Sequence, residues 1–279
     1  MKLAALPPLR EGLAAHGLSA RRALGQHFLL DLNLTAKIAR LAGSLEGATV
    51  IEVGPGPGGL TRALIEAGAQ VIAIERDARF RPMLTELAQA AGGSLTIVDA
   101  DALTVDEASL LPPGTAARVV ANLPYNISAP LLVKWLTGPF RPASMTLMFQ
   151  KEVAERITAA PATPAFGRLS VLAQALSIPE IVMTLPARVF TPPPKVDSAL
   201  VRFHMPGART KHSLENENKF LDFVKECFAQ KRKTLRNNLR GRLGTGTENV
   251  LRGAGLSPDA RAEQLTVSQF AALFRLAGK

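Results

Sequence analysis

The chain has too few thiol and imidazole groups for the common disulfide and metal frameworks. Its 279 residues include one cysteine and four histidines. A single cysteine excludes an internal disulfide, and one cysteine with four histidines argues against a zinc site. We therefore expect no metal in the functional site. Cys227 lies within an apolar helical pattern, which predicts a buried packing residue.

Long apolar runs are also missing. No stretch approaches the ~18 apolar residues that a membrane span requires. Residues 1–8 read Met-Lys-Leu-Ala-Ala-Leu-Pro-Pro and lack the apolar core of a signal peptide. Hydrophobic residues make up 47% of the chain and charged residues 20%, which is typical of a globular protein with a full core. We expect a cytoplasmic protein with no membrane partner.

Acidic residues are in the minority. The 33 basic and 23 acidic residues give a net charge of +10, which favours a polyanionic partner because phosphate contacts release counterions. A merely soluble basic surface is the alternative. The distribution favours nucleic acid, because the segment 225–242 holds one acid, Glu226, against seven bases. These bases are Lys225, Lys231, Arg232, Lys233, Arg236, Arg240 and Arg242.

Apolar periodicity predicts strands that alternate with helices up to about residue 206, followed by helices alone. This alternation is typical of right-handed βαβ units in an open parallel sheet. The polar, basic segment 206–213 is a candidate linker. We expect one domain over residues 1–206, with a helical extension over 1–43, and an all-helical domain over 207–279.

The predicted elements are as follows. Strands are expected at 49–54, 70–75, 95–98, 118–123, 145–150, 178–185 and 198–203. Helices are expected at 9–17, 32–43, 58–67, 79–91, 130–136, 151–159, 168–177, 216–229, 231–240, 247–253 and 267–277, with a loop over 20–31.

A glycine-rich loop follows the first long strand and opens a helix. It reads Glu52-Val-Gly54-Pro-Gly56-Pro-Gly58-Gly59. The spacing of Gly54, Gly56 and Gly59 fits a dinucleotide fingerprint, with Glu75 about 20 residues on, where ribose is bound. The spacing Glu-x-Gly-x-Gly-x-Gly equally fits the S-adenosylmethionine loop of methyltransferases. A tight packing turn without a ligand is the third hypothesis.

The next two strands end in polar residues. Asp99 and Asp101 end the third strand, where a carboxylate can accept a hydrogen bond from an adenine amino group; we favour Asp101. The fourth strand leads into Asn122-Leu-Pro-Tyr125, which contains the single tyrosine of the chain. Ligands of open α/β sheets bind beyond the carboxyl ends of the strands, so these groups and the glycine loop converge on one crevice. An enzyme that alkylates an amine on a flat base needs such acceptors and such a ring.

Six motifs in this order resemble the bacterial small-subunit ribosomal RNA adenine dimethyltransferases, and the resemblance extends from about residue 20 to the end. The motifs are Gly25-Gln-His-Phe-Leu29, Glu52-Val-Gly-Pro-Gly56, Asn122-Leu-Pro-Tyr-Asn-Ile-Ser128, Gly167-Arg-Leu-Ser-Val171, Phe190-Thr-Pro-Pro-Pro-Lys-Val-Asp-Ser198 and Lys231-Arg-Lys-Thr-Leu-Arg-Asn-Asn238.

The resemblance implies a Rossmann-like class I methyltransferase sheet with helices on both faces and a small helical C-terminal domain. It further implies S-adenosyl-L-methionine as methyl donor and N6,N6-dimethylation of two adjacent adenosines in the 3′-terminal hairpin loop of 16S rRNA. The partner would be the 16S rRNA of the immature 30S subunit, and we expect a monomer. The positions that match the family's donor site are His27, Leu29, Gly54, Glu75, Asp101 and Asn122.

The expected chemistry is direct displacement on a flipped adenine. The side-chain oxygen of Asn122 and the carbonyl of Leu123 would bind the hydrogens of the N6 amine, while Pro124 fixes the backbone. Tyr125 would stack on one face of the base. Phe190 is a candidate for the other face or, alternatively, a core residue. The expected phosphate contacts are Lys231, Arg232, Lys233 and Arg236.

The chain departs from the family at two positions, and three competing hypotheses stay open. The family usually has Asn where this chain has His27, and Tyr where it has Phe166; His27 would keep the donor contact through its backbone or its ring. Methylases of the erythromycin-resistance type, which act on large-subunit RNA, share the early motifs but usually read Asn-Ile-Pro-Tyr. The second hypothesis is a ribosome-assembly binding factor with secondary methylation. The third is a basic nicotinamide-dependent dehydrogenase.

Overall fold

The computed structural model describes residues 3–205 and 216–278. The chain forms two compact units. The first contains residues 1–154 and 180–204, and the second contains residues 155–179 and 205–279.

A seven-stranded mixed sheet forms the centre of the first unit. Its strand order is β4-β3-β2-β5-β6-β9-β7, and β1 and β8 form a separate two-stranded antiparallel ribbon. The strands are β1 Phe28–Leu29, β2 Thr49–Val53, β3 Gln70–Glu75, β4 Leu95–Asp99, β5 Ala117–Ala121, β6 Ser144–Gln150, β7 Ile178–Leu185, β8 Phe190–Thr191 and β9 Ser198–His204.

The sheet is parallel from β4 to β6, as predicted, but β9 pairs antiparallel with β6 from Ser144↔His204 to Gln150↔Ser198. The predicted open parallel sheet is therefore present from β4 to β6, and β9 departs from it. The physical reason lies in the connection between β7 and β9, which are neighbours in the sheet. The loop 186–197 joins them without a crossover helix, and parallel neighbours require such a crossover.

Helices and their bounds largely follow the predicted pattern. They are α1 Leu9–Ala15, α2 Leu32–Leu41, α3 Gly59–Glu66, α4 Arg81–Ala90, α5 Tyr125–Thr137, α6 Lys151–Thr158, α7 Arg168–Leu176, α8 Glu217–Cys227, α9 Leu235–Leu243, α10 Thr247–Gly253 and α11 Val267–Ala277. Asp31 begins α2 by accepting hydrogen bonds from the amides of Asn33 and Leu34, which otherwise lack partners within the helix.

The largest differences from the predicted bounds occur at three places. The loop predicted at 20–31 contains β1 and a short 3₁₀-helix at Arg22–Leu24. The helix predicted to begin at Pro130 begins at Tyr125, and Pro130 lies inside it. The helix predicted at 231–240 begins at Leu235, because Thr234 caps it by accepting from the amide of Asn237.

Aromatic packing holds the second unit together. Phe220 and Phe223 both contact Phe274, and Phe228 stacks on Phe270. Cys227 is fully buried there, which confirms its predicted packing role, and burial raises the pKa of its thiol. Helix α7 packs against α8 and α11, so residues 155–179 group with the C-terminal helices and not with residues 1–154. The predicted boundary at 206/207 and the predicted linker 206–213 lie outside the described residues.

Candidate functional site

A cleft opens beyond the carboxyl ends of β2, β3, β4 and β5, all in the first unit. It holds about 1060 Å³, including its open mouth. The loops that line it are 24–29, 52–57, 74–77, 100–102 and 122–127. Every predicted donor-binding residue lines this cleft, together with the whole of Asn122-Leu-Pro-Tyr125. The convergence predicted from strand order alone is thus present in the fold.

The glycine loop has a backbone conformation and a close packing that both require glycine. Gly54, Gly56 and Gly58 have φ values of 68°, 51° and 81°, a region that favours glycine. A Cβ on Gly56 would lie 3.2 Å from the ring of Phe28, and one on Gly59 would lie 2.6 Å from the carbonyl oxygen of Leu29. The loop therefore packs directly on the 24–29 segment, with no room for side chains.

Glu75 links the end of β3 to the glycine loop. Its Oε2 accepts from the amide of Gly56 at 3.1 Å, and its Oε1 accepts from the amide of Asp77 at 2.8 Å. Burial raises the pKa of this carboxyl, and the two amide bonds oppose that effect. An ionised carboxylate offers about four acceptor positions, so both oxygens retain capacity for the hydroxyls of a ribose.

Asp101 lies at the mouth of the cleft beside Arg76. Its Oδ2 is 2.9 Å from Nη1 of Arg76, and its Oδ1 accepts from the amide of Leu103. The loop that follows Asp101 is held by Lys134, whose Nζ donates to the carbonyls of Ala102 and Val105. This loop therefore keeps Asp101 at the end of β4.

Asn122 binds the 24–29 segment through its amide nitrogen. Nδ2 donates to the carbonyl oxygen of His27 at 3.0 Å. Because the nitrogen is committed in this way, the side-chain oxygen is the group that remains to accept a hydrogen bond. Tyr125, the first residue of α5, is held by a 2.5 Å hydrogen bond between its hydroxyl and Oγ of Ser198.

His27 joins three of the sequence motifs. Its Nδ1–H donates to the carbonyl of Pro192 at 2.7 Å, since a carbonyl oxygen only accepts. Its ring stacks on that of Tyr125, with 5.4 Å between centroids and 27° between planes. Its backbone carbonyl accepts from Asn122. His27 therefore connects the 24–29 segment, the Asn122–Tyr125 motif and the 190–198 loop.

Phe190 lies apart from the cleft. Its side chain is 2% exposed and belongs to the apolar core, and its backbone pairs with Leu29 in the β1–β8 ribbon. The structure therefore brings Asn122, Leu123, Pro124 and Tyr125 to the cleft, but not the ring of Phe190. Its stacking role stays a prediction.

The expected phosphate contacts belong to the second unit. Lys231, Arg232 and Lys233 are exposed in the turn between α8 and α9, and within the described residues none of them has a carboxylate partner. Asn238 fixes this turn by donating to the carbonyls of Cys227 and Gln230. Arg236 differs, because it forms ion pairs with Glu248 at 2.9 Å and Asp259 at 3.4 Å.

A polar network lies beside Glu75 and was not predicted from the sequence. Asp77 accepts from Gln26 and pairs with Arg79, and these contacts lower its pKa to about 2. Arg79 also donates to the carbonyl of Ser19, so the network binds the segment 19–26 to the end of β3. The Gln26 position was visible inside the motif Gly25-Gln-His-Phe-Leu29, but nothing in the local sequence marks Asp77 as its partner.

Two further findings concern metal binding and membrane spans. Over residues 3–205 and 216–278, no cluster of three or more histidine, cysteine or acidic side chains is arranged to hold a metal ion. Across the same part of the chain, no helix combines the length and apolarity needed to cross a bilayer.

The fold and the cleft define a class I methyltransferase that uses S-adenosylmethionine. The defining features are the glycine loop, the acid at the end of β3, the acid after β4 and the amide after β5. The lining of the cleft has the chemistry that this donor needs. The cleft holds about 1060 Å³ including its open mouth, and the carboxylates of Glu75 and Asp101 line it, where they can accept hydrogen bonds from hydroxyl and amino groups.

Comparisons with known proteins identify the family within this class of methyltransferases. The model of the family "Ribosomal RNA adenine dimethylase" matches residues 17–279. A "Ribosomal RNA small subunit methyltransferase A" of Phenylobacterium zucineum is 58% identical and covers 98% of this chain and 93% of its own. The one of Caulobacter vibrioides is 54% identical, over 92% and 96%.

Two solved structures of methyltransferases resemble the fold of this chain. A dimethyladenosine transferase from Plasmodium falciparum has a TM-score of 0.77 and 26% identity, with 90% of this chain and 98% of that chain covered. The 23S rRNA methyltransferase ErmE has a TM-score of 0.68 and 29% identity, over 90% and 100%. The chain belongs to the ribosomal RNA adenine dimethylase family. It is an S-adenosylmethionine-dependent rRNA adenine dimethyltransferase, and the predicted fold class is confirmed.

Proposed function

We propose that this enzyme methylates N6 of two adjacent adenosines in the 3′-terminal hairpin loop of 16S rRNA, giving N6,N6-dimethyladenosines during small-subunit biogenesis. The names of the curated relatives support the small subunit as the substrate class. The motif Asn122-Leu-Pro-Tyr125 supports the chemistry, because it supplies two acceptors and a flat ring at one point of the cleft.

The orientation of the Asn122 amide carries the proposed mechanism. Since Nδ2 is held by the carbonyl of His27, the oxygen accepts a hydrogen from the N6 amine of the target base. The carbonyl of Leu123 accepts the second hydrogen. These bonds direct the nitrogen lone pair along the line of displacement, and such alignment is a large part of what an enzyme contributes to a transfer between two bound groups. The bound donor supplies an already activated methyl group, so no strong base is needed.

Tyr125 holds the base in this scheme. One face of its ring is covered by His27, which leaves the opposite face for the flipped adenine. The bond to Ser198 keeps the ring in place while the base enters. Phe190 would complete the stack only after leaving its core position, so it is the least supported member of the catalytic set.

The proposed donor contacts follow the order of the strands. Asp101 accepts from the adenine amine, Glu75 binds the ribose, and Gly54 and its loop cradle the amino acid end. His27 and Leu29 close the cleft from the 24–29 segment, and Asn122 contacts the donor beside the reacting methyl group. His27, which stands where the family usually has Asn, contacts the donor through its backbone, because its ring is engaged with Pro192 and Tyr125.

RNA binding by the second unit is the remaining part of the proposal. Lys231, Arg232 and Lys233 contact phosphates of 16S rRNA in the immature 30S subunit, and the enzyme acts as a cytoplasmic monomer. Their exposure and lack of acidic partners among the described residues support this role. Arg236 joins them only if its two ion pairs break.

The test is methyl transfer to small subunits that lack the modification, followed by mapping of the modified nucleotides. We expect two dimethylated adenosines in the 3′-terminal hairpin loop and none in large-subunit RNA. Asn122→Ala should lower the transfer rate by about 100-fold or more, which is the size of effect seen when one preorganised hydrogen-bonding group is removed from a reacting centre. Donor affinity is measured in parallel, because Asn122 also lies beside the donor.

Three results would contradict the proposal. Modification of 23S rRNA instead would assign the enzyme to the erythromycin-resistance type. Tight subunit binding without transfer would favour an assembly factor. Unchanged turnover in Asn122→Ala would contradict the proposed mechanism.

A further inference from the structure

Lys134 and Glu107 form an ion pair that no step of the proposed reaction uses. Lys134 lies on α5, and Glu107 begins the 3₁₀-helix Glu107–Leu110, which follows the loop after β4. The Glu107 side chain is 1% exposed, and Nζ of Lys134 lies 2.9 Å from its Oε2. The indole N–H of Trp135, the next residue of α5, donates to Oε1 of the same carboxylate. A carboxylate so far from water depends on such partners, so the pair ties α5 to this helix.

The remaining donors of Lys134 hold residues 101–105, the loop between β4 and that helix. Nζ also donates to the carbonyl oxygen of Ala102 at 2.8 Å and to that of Val105. These two carbonyls and Glu107 engage all three hydrogens of the ammonium group. Ala102 directly follows Asp101, and both line the donor cleft. Lys134 therefore fixes the backbone at the point where Asp101 reaches the cleft.

The internal bonds of this loop fix its shape but not its place. The amides of Thr104 and Val105 donate to the backbone carbonyl of Asp101, within the loop itself. Among the described residues, the hydrogen bonds from the loop to other elements come from Lys134 and from Arg76. The Arg76 side chain is 71% exposed, and an ion pair in such a place contributes little. The bonds from Lys134 are therefore the ones that determine where Asp101 lies relative to the cleft.

We propose that Lys134 and Glu107 are positioning residues, which hold this loop so that the carboxylate of Asp101 selects a donor with an adenine amino group. The inference rests on the donor site proposed above, in which Asp101 accepts from that amine. A carboxylate rejects a ligand that presents a second acceptor only when it cannot move away from it, so selection requires a fixed loop. Helix α5, which begins at Tyr125, thus also determines which donor the cleft accepts.

The affinities of two ligands test the proposal without any methyl transfer. S-Adenosylhomocysteine carries the amino group, whereas S-inosylhomocysteine carries a carbonyl oxygen in its place. The parent should bind the amino ligand about 100-fold more tightly, which is the effect of one charge-assisted hydrogen bond.

The variant for this test is Lys134→Met/Glu107→Gln, because removing both charges together leaves no buried carboxylate without its cation. In this variant the preference should fall to about tenfold or less, since an acceptor that can move loses most of its selectivity. The loss should come from weaker binding of S-adenosylhomocysteine, and the affinity for S-inosylhomocysteine should change by less than about threefold.

Two controls separate this role from a general loss of stability. Phe203→Leu removes packing against Phe149, and neither residue lines the cleft, so this variant should keep the parent's preference at an equal loss of stability in urea. The single tryptophan of the chain, Trp135, gives one indole N–H signal in NMR spectra, which reports whether α5 remains packed. Glu107→Gln alone is the milder variant for the case that the double variant unfolds. It leaves Lys134 bonded to the two carbonyls and should lower the preference by about two- to fivefold.

Combination with Asp101→Ala shows whether the ion pair acts through Asp101. Asp101→Ala alone should lower the preference at least as far as Lys134→Met/Glu107→Gln does. Adding the second change to the first should lower it no further, because residues that act as one unit are not additive.

Three results would overturn the proposal. An unaltered preference in folded Lys134→Met/Glu107→Gln would show that Asp101 is placed without the ion pair. A full further loss on top of Asp101→Ala would show that the pair acts elsewhere. An unaltered preference in Asp101→Ala itself would contradict the donor site proposed above, and the inference would fail with it.

Discussion

At the scale of single residues, two aromatic side chains from distant parts of the sequence fix each other in the cleft. The ring of His27 stacks on Tyr125, and the Tyr125 hydroxyl bonds to Ser198. Burial raises the pKa of Tyr125 above its ordinary value, so the hydroxyl stays protonated throughout the physiological range. A hydroxyl that stays protonated is consistent with the proposed role of Tyr125, which is to hold the base by stacking and not to transfer a proton.

Two Tyr125 variants distinguish the contribution of the ring to the transfer rate from that of the hydroxyl. Tyr125→Phe should keep the transfer rate within about tenfold, while Tyr125→Ala should lower it by about 10- to 100-fold, since base stacking contributes about 1–3 kcal/mol. The measurement is single-turnover methyl transfer. Ser198→Ala is the matched control, because it breaks the same hydrogen bond as Tyr125→Phe. A Phe variant as slow as the Ala variant would show that the hydroxyl itself is required.

The raised pKa of Glu52 predicts how the free energy of unfolding depends on pH in the absence of donor. Burial raises its folded-state pKa to about 8, above the ordinary value of 4.5, so the folded state binds more protons between these pH values. The stabilisation that Glu52 contributes to the folded state is therefore fully present below about pH 4.5 and is lost as the pH rises to 8. Over this range the free energy of unfolding changes by up to about 1.4 kcal/mol per pH unit.

Urea unfolding between pH 5 and pH 8 measures this effect. In Glu52→Gln the difference in unfolding free energy from the parent should grow in favour of the variant as the pH rises. A constant difference over this range would mean that Glu52 does not titrate there.

At the scale of elements, the glycine loop and the 24–29 segment must touch backbone to backbone. Gly59, the first residue of α3, faces the carbonyl oxygen of Leu29, and a Cβ there would also lie 2.9 Å from the Leu9 side chain. The start of α3, the strand β1 and the helix α1 therefore share one contact point. This arrangement closes the cleft on the side where the amino acid end of the donor is expected.

A pair of glycine substitutions tests that contact. Gly59→Ala should lower the free energy of unfolding by about 1–3 kcal/mol, the usual range for overpacking, and should weaken donor binding. Gly241→Ala in α9 is the control, because nothing lies within 4 Å of its added Cβ. It should stabilise by up to about 1 kcal/mol, as Ala does in a helix. Equal effects of the two changes would contradict this role for Gly59.

At the scale of the whole molecule, the donor cleft and the proposed phosphate contacts belong to different units. The cleft belongs to the first unit, and the exposed turn with Lys231, Arg232 and Lys233 belongs to the second. Under the proposed function, changes in this turn should therefore alter the binding of rRNA and leave the binding of the methyl donor unaffected.

Replacing Lys231, Arg232 and Lys233 with Gln should weaken binding to the small subunit and flatten its salt dependence. For every duplex phosphate that the variant no longer binds, the slope of log affinity against log salt should fall by about 0.9. Donor affinity should not change. Arg236→Gln is the comparison, because its ion pairs with Glu248 and Asp259 predict a smaller change in slope. Parent-like binding and slope in the triple variant would move RNA recognition to other basic residues.

The sequence by itself determined the order of the elements, the cleft at the strand ends and most of its lining. Glycines at fixed spacing, acids after two strands and Asn122-Leu-Pro-Tyr125 after a third are local signals, because each reflects a backbone conformation or a strand end. The resemblance of six motifs supplied the family, which the comparisons then confirmed.

Only the tertiary structure decided the direction of β9 and the partners of the site residues. Apolar periodicity gives the buried face of a strand but not its direction. The start of α9, in contrast, was within reach of the sequence, because Thr234 is a local cap. The bond from Asn122 to His27, the burial of Phe190 and the isolation of the Glu52 carboxyl each depend on residues far apart in the chain. Such arrangements arise when the chain packs, and no local pattern encodes them.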